Sequence, residues 1–223
     1  MIVSIHQPQY IPWVPYFSKI HQSDLFVLLD DVQYQKNGLQ NRNFIFTQNG
    51  VTRLTLSVKG NFGDKINQIA LSDKRDLAKH WKSIEQAYGK APYFGELQSE
   101  LAEFYSRDYN LLEDFCSELI KFLCDYIGIK TKIVKSSAME KHGEKSTLIL
   151  SICQQLNATT YLTGRGGLEY LDQQSFEDAK INLKVLEYKF CDYKQVNNRA
   201  EFVRELSILD LVFNVGKNSI EYL

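Results

Sequence analysis

The sequence has no excess of charge of either sign: Lys and Arg number 26 against 27 Asp and Glu in 223 residues, and no basic run stands out. A general nucleic-acid binder draws its affinity from clustered phosphate neutralisation, so that class is excluded. A specific tRNA or a nucleotide is not. Long apolar runs are missing too. Nothing approaches the roughly 20 residues that span a bilayer, so no membrane insertion is expected. Residues 1–5 lack a basic leader and are cut off by His6, Gln7 and Pro8, so no signal peptide is expected and the cytoplasm is the expected location.

Cysteine is sparse and scattered: Cys116, Cys124, Cys153 and Cys191 form no C-x-x-C pair. That spacing argues for reduced thiols rather than a disulfide framework or a zinc site. The apolar settings of Cys116 and Cys153 suit packing better than nucleophilic work. The four histidines show no H-x-x-x-H spacing, and no metal site is assigned. No motif implies a particular cofactor, and the oligomeric state does not follow from the sequence.

What is present is a chain that is 44% apolar, enough to bury a core as one domain over residues 1–223. The organising stretch is residues 5–19, I-H-Q-P-Q-Y-I-P-W-V-P-Y-F-S-K. A short apolar strand ends at His6-Gln7, a loop with three prolines follows, and Pro15 suits the first turn of a helix. Residues 25–29, L-F-V-L-L, read as a strand covered on both faces, ending at Asp30-Asp31. The Asn49-Gly50 dipeptide predicts a hairpin. Residues 60–64, G-N-F-G-D, read as a loop or flap, and Ile66, Ile69 and Leu71 predict a further short strand. Helical periodicity then runs over residues 73–128 as an insert, with Leu77, Trp81, Ile84 and Tyr88 on one face of its first helix. Strands at residues 132–135, 159–162 and 181–188, with helices at 146–156 and 208–213, complete the pattern. Strands separated by helices predict an α/β fold: a mostly parallel, Rossmann-like three-layer sheet with an inserted β-hairpin and a helical insert.

The strand ends are where chemistry is expected, because ligands of parallel sheets bind beyond the carboxyl ends of the strands. His6-Gln7, Asp30-Asp31, Ser136-Ser137 and residues 163–167 would share that edge. His6 is the best-placed acid or base, its ordinary pKa lying near neutral, and His80, beside Trp81, is second. Asp30 and Asp31 could hold a magnesium ion or orient an amine, or form a solvated pair. Residues 32–42, V-Q-Y-Q-K-N-G-L-Q-N-R, are amide, aromatic and cationic. Gln33, Lys36, Asn37, Gln40, Asn41 and Arg42 there suit directional hydrogen bonding to hydroxyls and phosphates; a turn at Asn37-Gly38 is the plainer reading. Gln7, with Tyr10 and Trp13 as stacking rings, would join them. Residues 143–147, G-E-K-S-T, are not a phosphate loop, since Glu144 stands where glycine is needed. Lys145 and Ser146 at the following helix start could hold an anion or be an ordinary cap. Thr163, Gly164, Arg165, Gly166 and Gly167 would cradle a phosphate or carboxylate or form a structural turn, with a helix starting after them. Lys59 or Lys145 would offset negative charge.

Read together, the motifs make the chain resemble the WbqC-like protein family. They are H-Q-P-Q-Y-I-P-W at residues 6–13, D-D-V-Q-Y-Q-K-N-G at 30–38, Q-N-R-N at 40–43 and K-H-W-K-S-I at 79–84. K-A-P-Y-F at 90–94, G-E-K-S at 143–146, Y-L-T-G at 161–164 and S-I-L-D-L-V-F-N-V-G at 207–216 carry it almost to the end. Pro15 and Arg165 depart from the family pattern, where Gly and Pro are usual. The resemblance implies a cytoplasmic step in making a surface polysaccharide such as O-antigen. One form of that step is a transferase that acylates or aminoacylates an amino sugar on a nucleotide carrier. The expected partners are then a small-molecule substrate, a nucleotide sugar, and an acyl or aminoacyl donor, with His6 as general base. A nucleotide-dependent amide ligase and a non-catalytic sugar-binding protein are the alternatives.

Overall fold

The computed structural model describes residues 1–198 and 201–223. β1 (Ile2–His6) passes through the proline-bearing loop into α1 (Val14–His21), and β2 (Leu25–Leu28) follows. Next come the hairpin β3 (Arg42–Thr47) and β4 (Gly50–Thr55), then β5 (Val58–Lys59) and β6 (Ala70–Leu71). Helices α2 (Arg75–Tyr88), α3 (Phe94–Ser106) and α4 (Leu112–Ile127) complete the insert. The βα alternation resumes with β7 (Lys132–Lys135), α5 (Lys145–Gln155) and β8 (Thr160–Thr163). Two short helices, α6 (Arg165–Leu168) and α7 (Gln173–Asp178), precede β9 (Asn182–Val185), and α8 (Ile208–Val215) lies near the end.

The central sheet is all-parallel, in the order β7-β2-β1-β8-β9. Counting only these five strands along the chain, the order is third, second, first, fourth, fifth. That is the doubly wound arrangement, and its direction of winding reverses between β1 and β8. The hairpin and the β5–β6 pair are separate two-stranded sheets.

The sheet separates two apolar clusters. On one face Val3, Ile5, Val27 and Tyr161 pack against Ile152, Cys153 and Phe176 from α5 and α7. On the other, Phe26 and Leu28 meet Phe17 and Ile20 of α1. That cluster continues without a break through Leu77, Ile84, Leu101, Phe115 and Leu119 to Leu209 and Phe213. Each such side chain contributes about 1.5–3 kcal/mol on burial. The helical insert is thus packed into the larger core rather than hung beside it.

Two local expectations are corrected. Residues 66–68 form a 3₁₀ turn, in which Asn67 N donates to Asp30 O at 2.9 Å and Gln68 Oε1 accepts from Lys65 N at 3.0 Å; the paired strand is limited to Ala70–Leu71. The strand expected over 181–188 ends at Val185, where the partner strand β8 runs out at Thr163. No helix among the described residues is long and apolar enough to cross a membrane.

Candidate functional site

The carboxyl ends of β1, β2, β7 and β8 lie on one edge, as parallel pairing requires. At the reversal point β1 and β8 stay paired only from Ile2↔Thr160 to Ser4↔Leu162, whereas β1 and β2 continue to His6↔Leu28. Where β1 and β8 part, the ammonium of Lys19, from α1, donates to the freed carbonyl of Ile5 at 2.8 Å. Lys19 is 5% exposed and lies 5.9 Å from the centre of the Tyr161 ring. Burial pushes its pKa down to about 7.

His6 ends β1 with its ring edge against Tyr16, centroids 4.9 Å apart. Its Nδ1 is enclosed and has no hydrogen-bond partner. Burial first, and the Lys19 charge second, lower its pKa to about 3. The imidazole is therefore neutral at physiological pH. It can accept a hydrogen bond, but it holds an abstracted proton weakly.

The carboxylates at the end of β2 are fully engaged. Asp30 Oδ1 accepts from Ser137 N at 2.9 Å, and Asp30 Oδ2 accepts from Ser137 Oγ at 2.6 Å and Asn67 Nδ2 at 3.4 Å. Ser136 Oγ sits 3.0 Å from Asp30 Oδ1 and 2.5 Å from Asp31 Oδ1. Lys141 Nζ lies 2.6 Å from Asp31 Oδ2. Burial pushes the Asp31 carboxyl up, but the hydrogen bonds from Lys141 and Ser136 outweigh it and hold the group below its usual range. The pair clamps the end of β2 to the turn after β7. Among the described residues no group of three or more His, Cys, Asp or Glu could hold a metal ion.

The amide-rich segment after β2 builds one wall of a cleft of about 670 Å³. Gln33, Tyr34, Lys36, Asn41 and Arg42 line it, facing Ser57 and the loop of Gly60, Asn61, Phe62 and Gly63. Arg42 is held by Lys36 O (2.8 Å from Nη2) and by Asn41 Oδ1 (3.3 Å from Nε). Asn41 is fixed in turn, donating through Nδ2 to Leu56 O at 2.8 Å. The lining carries two cations, Lys36 and Arg42, and no carboxylate. The nearby Asp64 turns its Oδ2 to Asn61 N. Such a surface suits an anion bearing hydroxyl groups. Gln40 is buried behind the wall, where its Nε2 donates to Gln7 Oε1 at 2.6 Å and joins the loop after β1 to the cleft segment.

Other predicted residues lie elsewhere. Tyr10 is 0% exposed, so its ring is not placed to stack on a ligand. Its hydroxyl lies 2.9 Å from His80 Nδ1 and 3.1 Å from Tyr105 Oη, inside the helical core. Burial lowers His80 to about 4 despite the opposing Asp76 charge. That histidine belongs to a packing network rather than to an open site. Trp13 is partly exposed and packs toward Phe190, 6.3 Å away. Asn37 and Lys59 are exposed and do not line the cleft. Ser146 Oγ accepts from Asp172 N at 2.8 Å, and the start of α5 is already capped by Glu144. A carboxylate in that place opposes an anion beside Lys145. The glycines after Thr163 form the single turn of α6 instead of an open cradle, with Arg165 exposed. Gly167 is required there because a Cβ would run into Thr163 Oγ1. The helix expected to start after them is this turn itself.

Sequence reasoning gave no role to Lys19, or to Phe62, which it placed only within a loop or flap. It also left Tyr34, Ser57 and Asn61 unassigned. The buried thiols stay protonated: burial pushes Cys153 up to about 12, and burial with the Glu113 charge raises Cys116 well above the ordinary value.

A family model described as the WbqC-like protein family matches residues 7–222. The chain is also similar to an uncharacterised protein of Mycobacterium tuberculosis, Rv1507c. The two are 37% identical over 226 residues, covering 99% of this chain and 96% of the relative. No solved structure matches.

Proposed function

The chain belongs to the WbqC-like protein family, and we infer that it binds a nucleotide-linked sugar in the cleft beside Arg42. There it acts as a cytoplasmic transferase of surface-polysaccharide biosynthesis that acylates or aminoacylates an amino sugar. One observation carries this reading: two cations and the amides of Gln33, Asn41 and Asn61 line one cleft that has no carboxylate of its own. Phosphates would meet Arg42 and Lys36, and sugar hydroxyls would meet Gln33, Asn41, Ser57 and Asn61.

In the transfer the amine nitrogen forms the new bond to the donor's carbonyl carbon, the donor's leaving group departs, and the amine gives up a proton. His6 is the base assigned to that proton. It is one residue from Gln7, whose side chain Gln40 holds against the cleft segment. With a pKa near 3 in the free protein, the imidazole, which does not line the cleft, becomes an effective base only with an anionic group of the bound acyl donor beside it.

A non-catalytic sugar-binding role is the second reading. It is favoured by the cleft lining, which offers donors and cations but no imidazole, carboxylate or thiol. Turnover separates the two. Incubation of nucleotide-linked amino sugars with acyl-thioester or aminoacyl donors, with and without ATP, should give an amide product by mass spectrometry. His6→Ala should reduce its formation. Tight binding with no product under any of these conditions overturns the transferase reading, and product that requires ATP replaces it with a ligase.

A further inference from the structure

Phe62 is 100% exposed, and the turn around it is built to hold it there. Gly63 takes φ +94, which a side-chain-bearing residue adopts only with strain. Asp64 Oδ2 accepts from Asn61 N at 2.5 Å and Asn61 O accepts from Asp64 N at 3.2 Å, closing the turn across Phe62 and Gly63. Tyr34 N donates to Asp64 O at 2.9 Å, so the turn is tied to the segment carrying Gln33 and Lys36.

A lone exposed phenylalanine needs no explanation by itself. This one borders a cleft whose lining includes Arg42, Lys36 and the ring of Tyr34. A phosphate or a bare sugar phosphate would use the cations and leave the ring idle. A nucleotide uses both, because every base has a planar face that stacks on an aromatic side chain.

We propose that Phe62 is a specificity residue of the cleft, stacking on the base of a nucleoside diphosphate whose phosphates lie at Arg42 and Lys36. This rests on the reading of the cleft as the site of a nucleotide-linked sugar, and assigns to Phe62 the recognition of that nucleotide's base. The ring has no packing to lose in the free protein, so its substitution leaves the fold intact.

The test is calorimetric titration of the full chain with UDP, GDP and dTDP, and with inorganic pyrophosphate as the probe lacking a base. The expected result is that F62A weakens the best nucleotide by about tenfold or more. F62W should retain its affinity, and pyrophosphate should bind F62A as it binds the wild type. Arg42→Ala should weaken nucleotide and pyrophosphate alike. If F62A binds the nucleotide as tightly as the wild type while Arg42→Ala does not, stacking is overturned and the anion cleft stands. If Arg42→Ala is also indifferent, or if none of the nucleotides binds, the cleft assignment falls and the stacking role with it.

Discussion

Gln40 Nε2 donates to Gln7 Oε1 at 2.6 Å, joining two loops 33 residues apart in the chain. One loop follows β1 and carries His6; the other follows β2 and carries Arg42. This bond ties the loop beginning next to His6 to the segment that carries the cleft cations. Replacing Gln40 by Leu keeps the volume and removes the donor. The loss of one hydrogen bond costs about 1 kcal/mol, a fall in Tm of about 2–4 °C for a chain of this size. Ligand affinity should fall as well, because the loops are no longer coupled. Thermal melts with and without nucleotide sugar would check both; an unchanged Tm together with unchanged affinity would dismiss the link.

Lys19 predicts a pH dependence of stability. Its pKa is about 7 in the folded protein against an ordinary 10.5. Between those values the unfolded chain binds more protons, so stability rises with pH from about 7 to about 10. His6 titrates well below that window, whereas burial raises Cys153 from an ordinary 9 to about 12 and pushes Tyr161 up, so above about pH 8 both oppose the rise and the Lys19 slope is read cleanly between about pH 7 and 8. Urea unfolding of Lys19→Met at several pH values should lose most of this slope. A variant with the wild-type slope would show that Lys19 is not the source.

Two histidines, the half-buried His6 and the buried His80, act in the acid range. His6 and His80 have pKa values lowered to about 3 and 4 by burial, while the unfolded chain takes up their protons near 6.5. Their contribution to stability is complete above about pH 6.5 and is lost as pH falls toward 4 and 3. Nitrogen chemical shifts of both imidazoles should read as neutral at pH 5.5. A charged His6 at that pH would contradict its enclosure.

The hydroxyl of Tyr10 bridges His80 and Tyr105 in the core. Tyr10→Phe leaves His80 Nδ1 without a partner, at a cost of about 1–3 kcal/mol, which lowers Tm by several degrees. Because the ring is wholly enclosed, ligand affinity should not change. A normal Tm with weakened binding would return Tyr10 to the site.

The architecture was legible wherever pattern is local. The apolar run at residues 25–29 became the inner strand β2, and Asn49-Gly50 turned the hairpin. Gln33, Lys36, Asn41 and Arg42 line one cleft, and their clustering in a single polar segment made them visible together. The fate of Tyr10 was not legible, because its partner His80 lies 70 residues away and only tertiary packing joins them. Lys19 was hidden for another reason: α1 is buried along most of its length, and Lys19 falls among its buried positions while His21 takes the exposed one. Glycines 164, 166 and 167 pointed to an open loop, yet only Gly167 is forced by close approach.

The central claim is that Arg42 and Lys36 receive the phosphates of a nucleotide-linked sugar. The most direct measurement is calorimetric titration of such a sugar into the wild type and into the Lys36→Ala, Arg42→Ala double variant at low and high salt. Each charged hydrogen bond is worth about 1.5–3 kcal/mol, so the double variant should bind about a hundredfold or more weakly and with a smaller dependence on salt. Equal affinity and an equal salt dependence in the two proteins would contradict the account.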